Sequence, residues 1–184
     1  MDVSQRNIRV LLVREHWDHL AEYSLPPGWA IRWFEPGDET AWGRIQTAAD
    51  QFNAITPDLF TRQFGNDPAV LARRQCYLLE ANGTAIGTGT AWFNDNFQGK
   101  PYGRVHWVAL LPEFHGLGLA KPLMTVLCRR LRELGHERAY LTTSTSRIPA
   151  IKLYRHFGFV PFIRSAYEAD IWRELDQLIE AAGP

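Results

Sequence analysis

Cysteine is scarce in this sequence, neither sign of charge is in excess, and no long apolar run occurs. Cys76 and Cys128 are the only 2 cysteines in 184 residues. Neither has metal-type spacing to a second ligand, so a disulfide scaffold and a cysteine-built metal site are both excluded, and reduced core thiols are expected. Lys plus Arg equals Asp plus Glu at 20 each, a formal net charge of zero. A dedicated nucleic-acid binder would carry a basic excess, so nucleic acid is not an expected partner. No stretch approaches the ~18 apolar residues of a membrane span. The first residues, Met-Asp-Val-Ser-Gln-Arg, contain no signal-peptide core. The expected location is the cytoplasm, with no membrane partner.

What remains is an ordinary globular composition, 46% hydrophobic and 22% charged. The length suits one domain with a substantial core. Residues 7–13 read as a short strand, and Pro26-Pro27-Gly28 then breaks the chain, so residues 1–28 form an expected N-terminal extension to a single domain at 29–184. Trp29, Ile31 and Trp33 alternate as in a strand. Asp38 is the expected N-cap of a helix over 39–54, and Thr56-Pro57 opens a short helix running towards Gly65. Asn82-Gly83 joins strands at 76–81 and 84–93 as a hairpin. A polar, mobile loop is expected from Asn94 to Gly103, then a strand at 104–111.

Leu119, Leu123, Leu127, Leu131 and Leu134 recur at helical spacing, and Gly135 ends that helix. A strand at 139–143, a helix at 148–157, a last strand at 159–163 and a C-terminal amphipathic helix at 167–182 complete the order. Strands and helices in this succession predict an α/β (α+β) fold with helices on both faces of a mixed sheet.

The most informative stretch is Val105 to Ala120. A strand stops at Pro112, a glycine-spaced turn follows, and a helix begins. That arrangement gathers unpaired backbone N–H groups at one point, which suits phosphate. It is not a P-loop, because Lys121 follows Gly116 and Gly118 too closely. Nor is it a dinucleotide fingerprint, because Lys121 stands where the third glycine belongs. His115-Gly116-Leu117-Gly118-Leu119-Ala120 instead resembles the acetyl-CoA pyrophosphate loop of the GNAT superfamily of N-acetyltransferases. Downstream, Ala150, Leu153, Tyr154, Gly158 and Phe159 match a second GNAT signature. The resemblance covers about residues 29–163.

The resemblance implies a GNAT-like twisted central sheet with a V-shaped split between two parallel strands, here 104–111 and 139–144. Acetyl-CoA is the implied co-substrate and no metal is implied. Val108, Ala109 and Leu110 would pair with the pantetheine arm through their backbone. The amides of Gly116, Leu117, Gly118, Leu119, Ala120 and Lys121 would hold the diphosphate. His115 departs from the Arg or Gln usual there, so coenzyme affinity is expected to rise on mild acidification; the alternative is an exposed loop side chain. Arg147 fills a slot where many relatives carry an Asn that contacts CoA, so that contact is not implied here, and Arg147 or Lys152 could reach a phosphate.

By the same resemblance, Tyr154 is the expected general acid at the thioester sulfur. Its alternative is a core tyrosine. His106 is the expected general base, on the same side of its strand as Val108 and Leu110. Val105 to Leu110 is similar to the strand of arylalkylamine N-acetyltransferases, which carries histidine at that place. A space-filling histidine is the alternative, with Asp95 and Glu113 as other bases. Phe52, Trp92 and Asp95 are candidates for the acceptor side, among the aromatics Phe60, Phe64, Phe93 and Phe97 that crowd it.

The leading function is acetyl transfer from acetyl-CoA to a primary amine by direct attack in a ternary complex. The alternative is a non-catalytic acyl-CoA-binding module. Ile171, Trp172, Leu175, Leu178 and Ile179 form a stripe that packs on the chain's own sheet or on a second subunit, leaving a homodimer open.

Overall fold

The computed structural model describes residues 2–181. Ala182, the last residue expected in the C-terminal helix, lies outside the described residues.

The chain forms β1 (Arg9–Arg14), β2 (Ala30–Trp33), α1 (Asp38–Ala49), α2 (Leu59–Phe64), α3 (Pro68–Arg74), β3 (Gln75–Leu79), β4 (Ala85–Phe97), β5 (Lys100–Leu110), α4 (Ala120–Glu133), β6 (Ala139–Ser144), α5 (Ile148–His156), β7 (Val160–Pro161) and α6 (Ala166–Ala181). The strands make a 7-stranded sheet in the order β2-β3-β4-β5-β6-β1-β7. Only β5 and β6 run parallel, joined across α4.

Two apolar layers sandwich the sheet. On one face, Leu123, Leu127 and Leu131 of α4, Ile151 of α5 and Ile171, Trp172 and Leu175 of α6 enclose a core with Leu12, Ala91 and Leu141. Cys76 and Cys128 are buried and unpaired there, and burial pushes each thiol up to about 12, which keeps it protonated and inert. The C-terminal stripe therefore packs on its own core, with Leu178 and Ile179 against the same cluster. On the other face, Trp42 and Ile45 of α1, Phe60 and Phe64 of α2 and Leu71 of α3 cover Tyr77, Leu78 and Ile86.

Several boundaries differ from expectation. Residues 1–28 are not an appendage: β1 lies inside the sheet, antiparallel to β6 from Arg9↔Ser144 to Arg14↔Ala139 and to β7 at Leu12↔Pro161 and Val13↔Val160. Arg14 is buried and donates to the carbonyls of Phe157, His16 and Asp18, and Trp17 Nε1 donates to the His136 carbonyl at 2.6 Å. Helix α1 stops at Ala49 because the Asp50 carboxylate takes the amides of Phe52 at 2.8 Å and Asn53 at 3.1 Å, turning the chain. Gly37, at φ 103°, occupies the N-cap. Asp38 is instead held by a forked pair of bonds from Arg32 at 2.6 and 2.7 Å.

The expected loop at 94–103 is an extension of the β4–β5 hairpin, turned at Gln98 and Gly99 with φ 53° and 77°. Asp67 caps α3, a helix the sequence reading left out, by accepting from the amides of Ala69 and Val70.

Candidate active site

Strands β5 and β6 pair only at Gly103↔Ala139 and Arg104↔Tyr140. Beyond those pairs β5 continues to Leu110 and β6 to Ser144 without pairing, so the sheet opens as a V. A cleft of about 330 Å³ occupies this opening. Because the split passes through the sheet, groups from both layers line it: Tyr154 from α5, His106 from β5, and Gln46 and Asp50 from α1 and its end.

A bulge in β5 sets the orientation of His106. Thr90 pairs with His106 and Thr88 with Ala109, so β5 carries one residue more than β4 at this place. Trp107 absorbs the extra residue at φ 49°, a conformation rare for a bulky side chain. Neighbouring helices hold it there. Trp42 of α1 meets the indole edge to face at 5.3 Å, and Gln46 Nε2 donates to the Trp107 carbonyl at 3.0 Å. From α2, Gln63 Oε1 accepts the Trp107 indole N–H at 3.0 Å.

The bulge overturns the expected side-chain alternation. His106 shares a face with Ala109, and not with Val108 and Leu110. It turns towards α2, where its ring meets Phe64 at 5.6 Å and its Nε2 lies 3.0 Å from Gln63 Oε1. An indole nitrogen only donates, so the Gln63 atom facing it is oxygen. The same oxygen then accepts from His106 Nε2, which places the imidazole proton on Nε2 and the lone pair on Nδ1. Burial, reinforced by Arg104, drives the His106 pKa well below the ordinary imidazole value, so the ring is neutral at neutral pH.

Tyr154 lines the same cleft, and burial pushes its phenol up to about 12, which keeps the hydroxyl protonated. Arg147, just before α5, reaches Asp50 Oδ1 at 2.8 Å and lies over the Phe52 ring at 5.3 Å. Burial of Asp50 opposes its charge, but bonds from Asn53, Phe52 and Arg147 outweigh that and hold its carboxyl below the usual range.

The glycine turn has the anticipated form. Gly116 and Gly118 sit at φ 79° and 75°, where a side chain would be strained. Buried Leu119 anchors the turn, exposed Leu117 faces outward, and Lys121 stacks over Tyr23 at 5.0 Å. No side chain caps α4, and among the described residues the amides from Gly116 to Lys121 have no protein acceptor. The edge of β5 towards β6 is unpaired at Val108, Ala109 and Leu110. The His115 side chain folds back to donate from Nε2 to the Leu110 carbonyl at 3.1 Å.

Not every candidate lies at the cleft. Phe52 lines it, whereas Trp92, Asp95 and Glu113 do not. Trp92 packs on Phe64 at 5.5 Å, Asp95 is exposed on the hairpin near Arg74 and His136, and Glu113 is exposed in the turn after β5. Among the described residues no group of three or more His, Cys, Asp or Glu could hold a metal ion, and no helix is long and apolar enough to cross a membrane.

Gln46, Asp50, Gln63, Arg9 and Arg104 line the cleft without having been singled out in the sequence. Only the arginines left a trace there, as charges placed within otherwise apolar strand patterns.

A split mixed sheet with an uncapped, glycine-lined helix start beside the split defines an acetyltransferase-type fold, and comparison with known proteins agrees. Residues 30–159 match the model of the Acetyltransferase (GNAT) family. The chain belongs to that family, whose acetyl donor is acetyl-CoA. It is 31% identical over 168 residues to a mycothiol acetyltransferase of Cellulomonas flavigena, covering 82% of this chain and 48% of that protein. It is 34% identical over 151 residues to one of Thermomonospora curvata, covering 78% and 48%. The chain thus spans about half the length of these curated relatives.

Among solved structures, a GCN5-related N-acetyltransferase from Sphaerobacter thermophilus superposes with TM-score 0.66 at 20% identity, covering 84% of this chain and 48% of that one. The ribosomal-protein-S18-alanine N-acetyltransferase of Escherichia coli gives 0.60 at 21% identity, covering 73% and 79%. These two likenesses concern the fold.

Proposed function

We propose that this chain transfers the acetyl group of acetyl-CoA to a primary amine by direct attack within a ternary complex. The observation that carries the reading is the juxtaposition of open amides at Gly116–Lys121 with a split whose cleft holds a neutral histidine and a protonated tyrosine. Acetyl-CoA supplies the activated thioester. The amides from Gly116 to Lys121 offer N–H donors to its diphosphate at the positive end of α4. The edge of β5 at Val108, Ala109 and Leu110, unpaired by strand β6 though His115 holds the Leu110 carbonyl, suits the amides of its pantetheine arm. Arg147, engaged with Asp50, serves the cleft rather than a phosphate.

In the reaction the amine nitrogen bonds to the thioester carbonyl carbon and the carbon–sulfur bond breaks. His106 Nδ1 takes the proton that the amine releases, and the Tyr154 hydroxyl delivers one to the departing thiolate. Acid and base assistance of this kind contributes ~10²–10⁴-fold each. A neutral imidazole suits the first task and a phenol that stays protonated suits the second.

Acetyl-CoA-dependent release of free thiol tests the reading, with a panel of primary amines that includes mycothiol-related ones, after the relatives' name. Thiol release that depends on amine and is lost in Tyr154→Phe is the expected result. Tight CoA binding with no amine-dependent release across the panel identifies an acyl-CoA-binding module instead.

A further inference from the structure

The cleft carries more positive charge than its own carboxylate balances. Arg147 is matched by Asp50. Arg9 of β1 and Arg104 of β5 line the same space, and neither has a carboxylate partner among the described residues. Arg104 Nε is buried with no hydrogen-bond partner. Its ring neighbour is Tyr140, at 5.5 Å, which is no substitute for an anion. Burial, with a smaller contribution from Arg9, lowers the Arg104 pKa. A buried guanidinium N–H with no acceptor opposes folding, whereas the exposed Arg9 keeps its donors in water.

Such a pair is poorly suited to receive a bare ammonium ion. The incoming amine would meet the Arg104 guanidinium beside His106 and the exposed Arg9 at the rim of the same cleft, with no carboxylate paired to either. An acceptor that brings its own negative group removes the conflict and satisfies the idle donors. The coenzyme diphosphate is a separate matter, since the amides from Gly116 to Lys121 do not line this cleft while His106 and Tyr154 do. Resting on the transferase reading above, we propose that the acceptor amine carries an anionic group, a carboxylate or a phosphate, seated on Arg9 and Arg104. The planar five-donor guanidinium accepts either in a forked geometry.

The test is calorimetric titration of the CoA-saturated protein, so that the coenzyme phosphate site is already filled. The probes are matched pairs differing in the anionic group: phenylalanine against phenylalaninamide, and glucosamine 6-phosphate against glucosamine. The anionic member of at least one pair should bind about tenfold tighter or more. Arg9→Gln and Arg104→Gln should each erase that preference, with Arg104→Lys retaining part of it. CoA affinity should be unchanged in all variants, which also shows that they fold. Equal binding within both pairs, no binding by any probe, or a preference that survives both glutamine variants overturns the proposal. Thiol release is read in parallel: anion preference without transfer to any amine sinks the transferase reading and leaves the anion seat standing.

Discussion

Arg147 Nη2 lies 2.8 Å from Asp50 Oδ1, tying the start of α5 to the end of α1 across the cleft. The Asp50 side chain is only 5% exposed but that of Arg147 is 35% exposed, so solvent screens the pair in part. Asp50→Asn should cost about 1–2 kcal/mol in urea unfolding, the range for a hydrogen bond to a charged partner reduced for the solvent that reaches Arg147. The folded-state pKa of Asp50 is lowered, so its contribution is present above the ordinary carboxylate range and is lost as pH falls through the folded value. The gap between wild type and Asp50→Asn should therefore be full at pH 7 and close at strongly acidic pH. A gap independent of pH would show that the carboxylate charge does not contribute.

His106→Ala should lower kcat by ~10²-fold or more, with CoA affinity unchanged. Because burial and Arg104 depress the imidazole pKa, the acid limb of the wild-type rate profile should lie well below the ordinary histidine value. Its shape should change in the variant. Gln63→Leu should produce a smaller kcat loss by releasing the Nε2 proton from its fixed acceptor. A wild-type acid limb centred at the ordinary histidine value contradicts the burial argument.

Gly118→Ala isolates the backbone requirement of the glycine turn proposed to hold the coenzyme. A Cβ at Gly118 meets nothing within 4 Å, so sterics with neighbours contribute nothing, but φ is 75°. The left-handed conformation costs an L-residue ~1–2 kcal/mol. The CoA dissociation constant should rise about tenfold if the loop relaxes away from it. Unchanged affinity by calorimetry would mean that the diphosphate does not depend on this bend.

The glycine turn before α4 was legible in the sequence because its requirements are local: glycines for positive φ and an uncapped helix start. The α4 leucine stripe was legible for the same reason. Trp107 shows the opposite case. Nothing around Val105–Leu110 announces a bulge, because Trp42, Gln46 and Gln63 hold it from helices distant in the chain. The side-chain parity of His106 was consequently misread, although the residue does reach the cleft. The polar run Asn94-Asp95-Asn96 read as loop because polarity was its only local signal. Phe97 fixes it as strand by stacking on Tyr140 with ring centres 4.0 Å apart. Arg104 and Arg9 gain meaning only once β1 takes its place beside β6.

That placement of β1 sets the last expectation. Val10, Leu12 and Val13 are buried at 5%, 0% and 5% exposure. Burying each is worth ~1.5–3 kcal/mol, which together approaches the ~5–15 kcal/mol by which folded domains are stable. Removing β1 also strips β6 of its antiparallel partner and separates it from β7. A chain beginning at Trp29 should therefore lose its cooperative thermal transition and aggregate, despite retaining all of residues 30–159 matched to the family. Circular dichroism melting and size-exclusion chromatography read both effects. A truncated chain that melts cooperatively and binds CoA with full affinity would show that residues 1–28 are dispensable to the fold.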